Sequence, residues 1–287
     1  MPFPEIPAFH WGAGGHDVSP VAVTADPAAD GVSVCGVTVV DDDGVRTVML
    51  DRPARLNAFT AASYRALAAA LEAAVRDETI RVVELVGAGR AFSSGVDLDA
   101  LAGTADPDEY REAFAVLLET LIVFPKPLVA GVHGAAVGFG ATILLHADVV
   151  LVADDARLRL PFTALGTAPE AGSSVLLPAL VGPQRAAELL LTSRWIDAAE
   201  AVASGLAARR CAGADLRSEL RQLAREIAAR PPEAVAAARR LLRSGRAELV
   251  RAALEREDDA ARELRAELGP LSRAPRGEAD ENGRSMT

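Results

Sequence analysis

An α/β body that runs out into a helical end is the fold class predicted for this chain, on three observations. From about residue 36 to about residue 160, short apolar runs that read as strands alternate with amphipathic stretches of helical period. Gly and Pro clusters punctuate them. After Gly172 the pattern becomes helical almost throughout, with breaks near Gly182, Gly205, Gly213, Pro231-Pro232 and Gly245.

Residues 1–34 are rich in Pro, Gly, Ala and Asp without a sustained period, and so predict a poorly ordered extension. The tail 272–287 reads the same way. Between them, 35–212 forms the strand-and-helix core and 213–271 a helical region. Gly36–Val40 and Val45–Leu50 flank the turn cluster Asp41-Asp42-Asp43-Gly44 and predict a hairpin. A loop, Asp51 to Phe59, then reaches Thr60, which suits the N-cap of a helix to about Arg76 with Tyr64, Leu67, Leu71 and Val75 on one face.

Val82–Val86 reads as a buried strand, and Asp97–Leu101 as a capped helical turn. A second helix runs from about Pro107 through Tyr110, Phe114, Leu117 and Leu121 until Pro125-Lys126-Pro127 stops it. Leu128–Val132, Val149–Val152 and Leu158–Leu160 are further strands, and an apolar helix ends near Leu145. The helices after residue 213 carry too few apolar positions for a core of their own, so they cover the body or another subunit. Trp11 falls in the extension, and Trp195 in a helical stretch as a core or interface residue.

With 287 residues, half of them apolar, the chain can bury a substantial core. A net charge of -10 and a pI near 5.0 argue against binding nucleic acid, which needs clustered cations. Cys35 and Cys211 lie far apart with no metal-ligand cluster, which predicts no metal and a reduced, cytoplasmic setting. The first residues lack a basic segment followed by an apolar one, and no apolar run approaches the ~20 residues of a membrane span. A soluble protein with no membrane partner is the expectation.

The most specific signal is Gly87-Ala88-Gly89-Arg90-Ala91-Phe92-Ser93-Ser94-Gly95-Val96-Asp97-Leu98. A strand that feeds a glycine-punctuated turn and then a helix start leaves backbone N–H groups unpaired and aimed into one space. Such a turn can hold a developing negative charge. Its residue order resembles GxGxxFxxGxD of the crotonase, or enoyl-CoA hydratase/isomerase, superfamily. Asp51-Arg52-Pro53-Ala54-Arg55-Leu56-Asn57-Ala58 resembles that family's RPxxxNA element, and Lys126-Pro127 through Gly140 its KPxxxxVxGxxxGxG. Phe162–Gly172 and Glu188–Leu206 resemble its later segments.

The resemblance covers about residues 36–245 and implies a crotonase-like ββα spiral with a C-terminal helical trimerisation region, assembled as homotrimers or as hexamers of paired trimers. It implies an acyl-CoA thioester substrate, with no cofactor beyond the coenzyme A of that thioester. By position, the amides of Val96 and Phe139 are the two oxyanion donors. The CoA portion lies along Arg55, Leu56 and Ala58 and across Ser94, Val96, Asp97 and Leu98; a solvated surface role for Arg55 stands beside this reading. Phe139 replaces a glycine common among relatives, so its ring narrows or covers the acyl pocket. Asp97 caps the helix that follows it. Ser94 is a substrate contact without the paired base of a nucleophile, and His133 is a structural hydrogen-bonding group.

The two glutamates that share proton transfer in the hydratases fall on Thr142 and Phe162, and neither can act as a carboxylate. Pro169-Glu170-Ala171-Gly172-Ser173 instead resembles the PEGxS-type segment of peroxisomal Δ3,Δ2-enoyl-CoA isomerases, where the glutamate is the base. Glu170 as a single base implies an isomerase that moves the double bond of an enoyl-CoA from the 3- to the 2-position through an enolate. Against this stand an atypical hydratase, hydrolase or decarboxylase using Thr142 or water, and a non-catalytic acyl-CoA-binding subunit. A purely structural reading of Glu170 also stands: a carboxylate ahead of a helix complements its dipole.

Overall fold

The computed structural model describes residues 31–98 and 107–268. Strands β1 (Val32–Val34), β2 (Val37–Asp42) and β3 (Val45–Leu50) form an antiparallel meander. Asp43 and Gly44 both take positive φ, 49° and 75°, as a two-residue hairpin turn of matching twist requires. Cys35 and Gly36 do the same at 49° and 78°, which brings Val32–Val34 into the sheet although composition assigns them to the extension. A Cys at the first turn position is not a recognisable turn signal, and that hid the strand. Residues 1–30 and the tail 272–287 lie outside the described residues, as does the helix read from Asp97 beyond Leu98.

From β3 the sheet continues in parallel through β4 (Val82–Gly87), β5 (Leu128–Val132), β7 (Val149–Ala153) and β10 (Arg209–Cys211). Parallel strands buried on both faces need two covers, and alternate residues go to each. Val83, Leu85, Ala130, Val132, Val150 and Val152 face the main core with helices α1 (Ala61–Arg76) and α2 (Pro107–Val123). Val82, Val86, Val129, Leu151 and Ala153 meet Leu216, Leu220 and Ala224 of α7 (Leu216–Ala228). Leu223, Ile227 and Ala228 pack beside them, so the apolar stripe of this charged helix closes the second face. Arg221 of the same helix reaches Glu84 on β4 at 3.1 Å, and Thr47 donates to that carboxylate at 2.9 Å.

A smaller sheet runs β6 (Ala135–Val137), β8 (Arg157–Arg159), β9 (Trp195–Asp197). Strands β9 and β10 correct the expectation that the chain after Gly172 is helical almost throughout. Each is three residues long, too short to show a period of two. Trp195 therefore sits on a strand, partly exposed, under the guanidiniums of Arg157 and Arg159 at 5.2 and 5.5 Å from its ring centre. The remaining helices are α3 (Phe139–Thr142), α4 (Ser173–Val181), α5 (Pro183–Thr192), α6 (Ala198–Ala203), α8 (Pro232–Leu242) and α9 (Arg246–Leu268).

Two local devices hold the loop ahead of α1 beneath the end of β4. Thr60 Oγ1 accepts from Ser63 N at 3.2 Å while Ser63 Oγ accepts from Thr60 N at 2.7 Å, a reciprocal N-cap. Asn57, 3% exposed, donates from Nδ2 to the carbonyls of Ala88 and Ala91 at 2.8 Å and of Phe92 at 3.1 Å, and accepts from Arg52 N at 2.9 Å. One side chain therefore fixes the whole glycine-rich turn after β4. Asn57→Ala is expected to lower unfolding free energy by about 2–3 kcal/mol, because buried carbonyls lose their donor; a denaturant midpoint equal to that of the wild type would contradict this.

Candidate active site

The two glycine-rich segments meet beyond the carboxyl ends of β4 and β5, where parallel sheets expose their functional crevices. Phe92 N donates to His133 O at 2.9 Å, Ser93 N to Ala135 O at 3.1 Å and Val137 N to Ser93 O at 2.9 Å. Gly95 has φ +84°, and a Cβ on it would stand 2.5 Å from Val137 O and 3.3 Å from Phe139 N. Only glycine lets the turns pass so closely. Gly138, at φ +54° and ψ -123°, reverses the chain into α3 with Phe139 as its first residue.

On the other flank, Phe59 N donates to Gly95 O at 2.7 Å and Asp97 N to Phe59 O at 2.9 Å. That parallel bridge leaves the Val96 N–H directed away from Phe59. The Phe139 N–H, at a helix start, has no intrahelical acceptor. Among the described residues neither amide has a hydrogen-bond partner. Two fixed donors on adjoining turns are what a developing oxyanion needs.

Around them lies an aromatic wall. Phe139 is fully buried, with ring centres 5.0 Å from Phe59, 5.2 Å from Tyr64 and 5.0 Å from Phe114. Its ring turns into the core instead of covering the surface. Tyr110 Oη donates to Phe59 O at 2.7 Å and so steadies the bridge beside Val96.

Glu170 lies within electrostatic reach of this wall. Burial pushes the phenols of Tyr64 and Tyr110 up, and the Glu170 carboxylate adds to both shifts. Desolvation first, and the Glu257 carboxylate second, push the Glu170 carboxyl up to about 8. Its carboxyl oxygens accept no hydrogen bond among the described residues. The dipole of α4 is answered by another residue: Glu257 of α9 accepts from Gly172 N and Ser174 N, both at 2.8 Å. The structural role open to Glu170 is thus already filled. Thr142 is fully buried, with Oγ1 donating to Phe139 O at 3.5 Å, and Phe162 is 4% exposed in the core.

The residues assigned to the CoA portion divide. Arg55 is exposed and Leu56 half-buried, and both adjoin the turn: Ser94 N donates to Leu56 O at 2.9 Å and Ser94 Oγ to Arg55 O at 3.4 Å. Leu98 is 36% exposed. Ala58 and Asp97 are buried, and Asp97 pairs with Arg52 at 3.0 Å, so its charge is spent within the protein. His133 Nε2 lies 2.8 Å from Gly89 O, a structural link as its position suggests. No group of three or more metal-ligating side chains occurs among the described residues, and none of their helices is long and apolar enough to cross a membrane.

Sequence reasoning missed two residues that shape the site. Glu257 is one, and His146 is the other: its Nε2 lies 2.8 Å from Ala171 O and must carry the proton, since a carbonyl only accepts. Burial, then the nearby Arg246 and Arg243, hold the His146 ring neutral down to about 3, against a backbone hydrogen bond that favours its charge. Both residues act on the turn at Ala171-Gly172, where φ is +60° and +72°.

The chain matches the family model described as Enoyl-CoA hydratase/isomerase over residues 41–268. It is 34% identical over 227 residues to the enoyl-CoA delta isomerase 2 of Rattus norvegicus, a match that takes in 77% of this chain and 58% of that protein. The chain therefore spans less than two thirds of that relative's length. Among solved structures it superposes on an enoyl-CoA hydratase/isomerase from Pseudoalteromonas atlantica T6c with a TM-score of 0.76 at 35% identity, over 80% of this chain and 92% of the other. An enoyl-CoA hydratase from Mycobacterium avium subsp. paratuberculosis gives 0.75 at 33% identity, over 81% and 95%.

His146 carries a pH consequence. In the unfolded chain it takes up a proton below about pH 6.5; in the fold it stays neutral until about 3. Its contribution to stability is complete above the unfolded value and is lost as pH falls between the two, at up to about 1.4 kcal/mol per pH unit. His146→Gln, which keeps an N–H for Ala171, is expected to flatten the acid slope of chemically measured stability; an unchanged slope would exclude His146 as its source.

Proposed function

We propose that this chain, which belongs to the enoyl-CoA hydratase/isomerase family, shifts the double bond of an enoyl-CoA thioester from the 3- to the 2-position with one carboxylate. The observation that supports this most directly is a desolvated carboxyl, Glu170, that accepts no hydrogen bond among the described residues and lies within electrostatic reach of the aromatic wall beside two unpartnered amides. Glu170 takes the proton from C2 of the 3-enoyl thioester. The electron pair moves into the thioester carbonyl, and the dienolate oxygen lies between the Val96 and Phe139 N–H groups. Each such donor lowers the barrier by roughly 2.7–4 kcal/mol. The same Glu170 carboxyl returns its proton at C4, so the reaction balances without water or a redox partner.

A base pushed up to about 8 suits the abstraction of a weakly acidic C–H better than an ordinary glutamate. Hydration by two glutamates has no support from buried Thr142 and Phe162. Arg55 and Leu56, beside the Ser94 turn, are where the CoA portion would pass. The enzyme would serve fatty-acid metabolism in the cytoplasm, as a trimer or paired trimers built on the C-terminal helices.

Three substrates, 3-enoyl-, 2-enoyl- and 3-hydroxyacyl-CoA, test the reading. Isomerisation of the first is expected, and Glu170→Gln should slow it by about 10²–10⁴-fold with the fold retained. Rapid hydration of 2-enoyl-CoA, or binding of all three without turnover, would overturn it. Because the base works ionised, kcat/KM should climb with pH and level off above about 8.

A further inference from the structure

We infer that Glu257, on the C-terminal helix α9, is a positioning residue for Glu170: it clamps the turn that presents that carboxyl and stands as a second negative charge beside it. The inference rests on the reading of Glu170 as the base. Ala171 and Gly172 are consecutive left-handed residues, and a side-chain-bearing Ala in that region is strained. Such a turn persists only where its surroundings hold it.

The fixings come from two sides. His146 binds the Ala171 carbonyl, and Glu257 takes Gly172 N on Oε2 and Ser174 N on Oε1, each at 2.8 Å. Ser173 N closes back on Glu170 O at 3.0 Å. Helix α9 lies so close that a Cβ on Gly172 would stand 2.7 Å from Val250 Cγ1. Glu257 itself is 7% exposed.

Two carboxyls that interact do not ionise together, and the one with more donors ionises first. Both oxygens of Glu257 accept amide N–H groups at a helix start, while those of Glu170 accept none among the described residues. Glu257 is therefore the standing anion and Glu170 the group that waits. The other titratable groups set against Glu170 are the phenols of Tyr64 on α1 and Tyr110 on α2. Burial pushes the Glu257 carboxyl up as well, but the hydrogen bonds from Ser174 and Gly172 and the nearby Arg256 favour its charge, help that Glu170 lacks. His146 stays neutral and adds no charge near neutrality.

The test is a titration of the full-length protein labelled with ¹³C at glutamate Cδ, with resonances assigned from Glu170→Gln and Glu257→Gln. In Glu257→Gln the Glu170 midpoint should fall by about half a pH unit or more, and the climb of kcat/KM with pH should move down equally. A midpoint that stays put, or a uniform loss of rate without displacement, would show a structural clamp only and overturn the inference. Should Glu257→Gln fail to fold, the wild type decides: its Glu257 resonance should show a second inflection at the Glu170 midpoint, and a single inflection overturns the inference. Full isomerase activity in Glu170→Gln would sink the reading of Glu170 as the base, whereas the titration would still report the two carboxyls.

Discussion

Everything in this site depends on holding two backbone amides, those of Val96 and Phe139, without acceptors among the described residues. A buried N–H with no partner costs about 1–3 kcal/mol, so neighbouring groups must be pinned tightly enough that neither amide can turn to find one. The chain does this with backbone pairing. Phe59 bridges Val96 on one side, and Ser93 bridges Ala136 on the other. Asn57 then locks the carbonyls at the head of the turn, and Arg52 ties Asp97 at its foot. The energy withheld from the free protein is available to a ligand oxygen that arrives between the donors.

The acid–base half of the site follows a different logic. The amides are fixed by neighbours close in the spiral, whereas the turn bearing Glu170 is fixed by a histidine from the helical turn ahead of β7 and a glutamate on α9. Helix α9 thereby fixes a loop of the candidate site as well as packing on the body. The same segment that continues the fold into its helical end supplies the cap for α4 and, on the proposed reading, a charge beside the base.

Much of the scaffold was legible because its signals are local. Asp-Gly turns, the Thr60 cap, the proline stop after α2 and the near-continuous apolar strands each follow from a few adjacent residues. The segments carrying Val96 and Phe139 could be named through their resemblance to the family's glycine-rich signatures, and the positive φ of Gly95 and Gly138 is the geometry that such spacing serves. What stayed hidden depends on distant partners. Glu257 sits in an Arg- and Glu-rich helix where any carboxylate reads as solvated, and its partners lie 85 and 83 residues away. His146 reads as one more member of an apolar helix. Strands β9 and β10 take their conformation from the ladders they join, since three residues cannot announce a strand alone.

On the proposed reading, in which the thioester passes the Phe139 amide, the Phe139 ring ties the range of acyl groups to the folding equilibrium itself. Its ring is one of the largest fully buried side chains, and it meets three other rings at about right angles. Emptying that space to admit a bulkier substrate would sacrifice about 3–5 kcal/mol of packing, much of the margin by which a typical domain holds together. On that reading, a change toward larger thioesters has to pass through prior stabilisation elsewhere, or through matched enlargement of Phe59, Tyr64 or Phe114. The amide of residue 139 is indifferent to its side chain, but the domain is not, so substrate range is the slower trait to change.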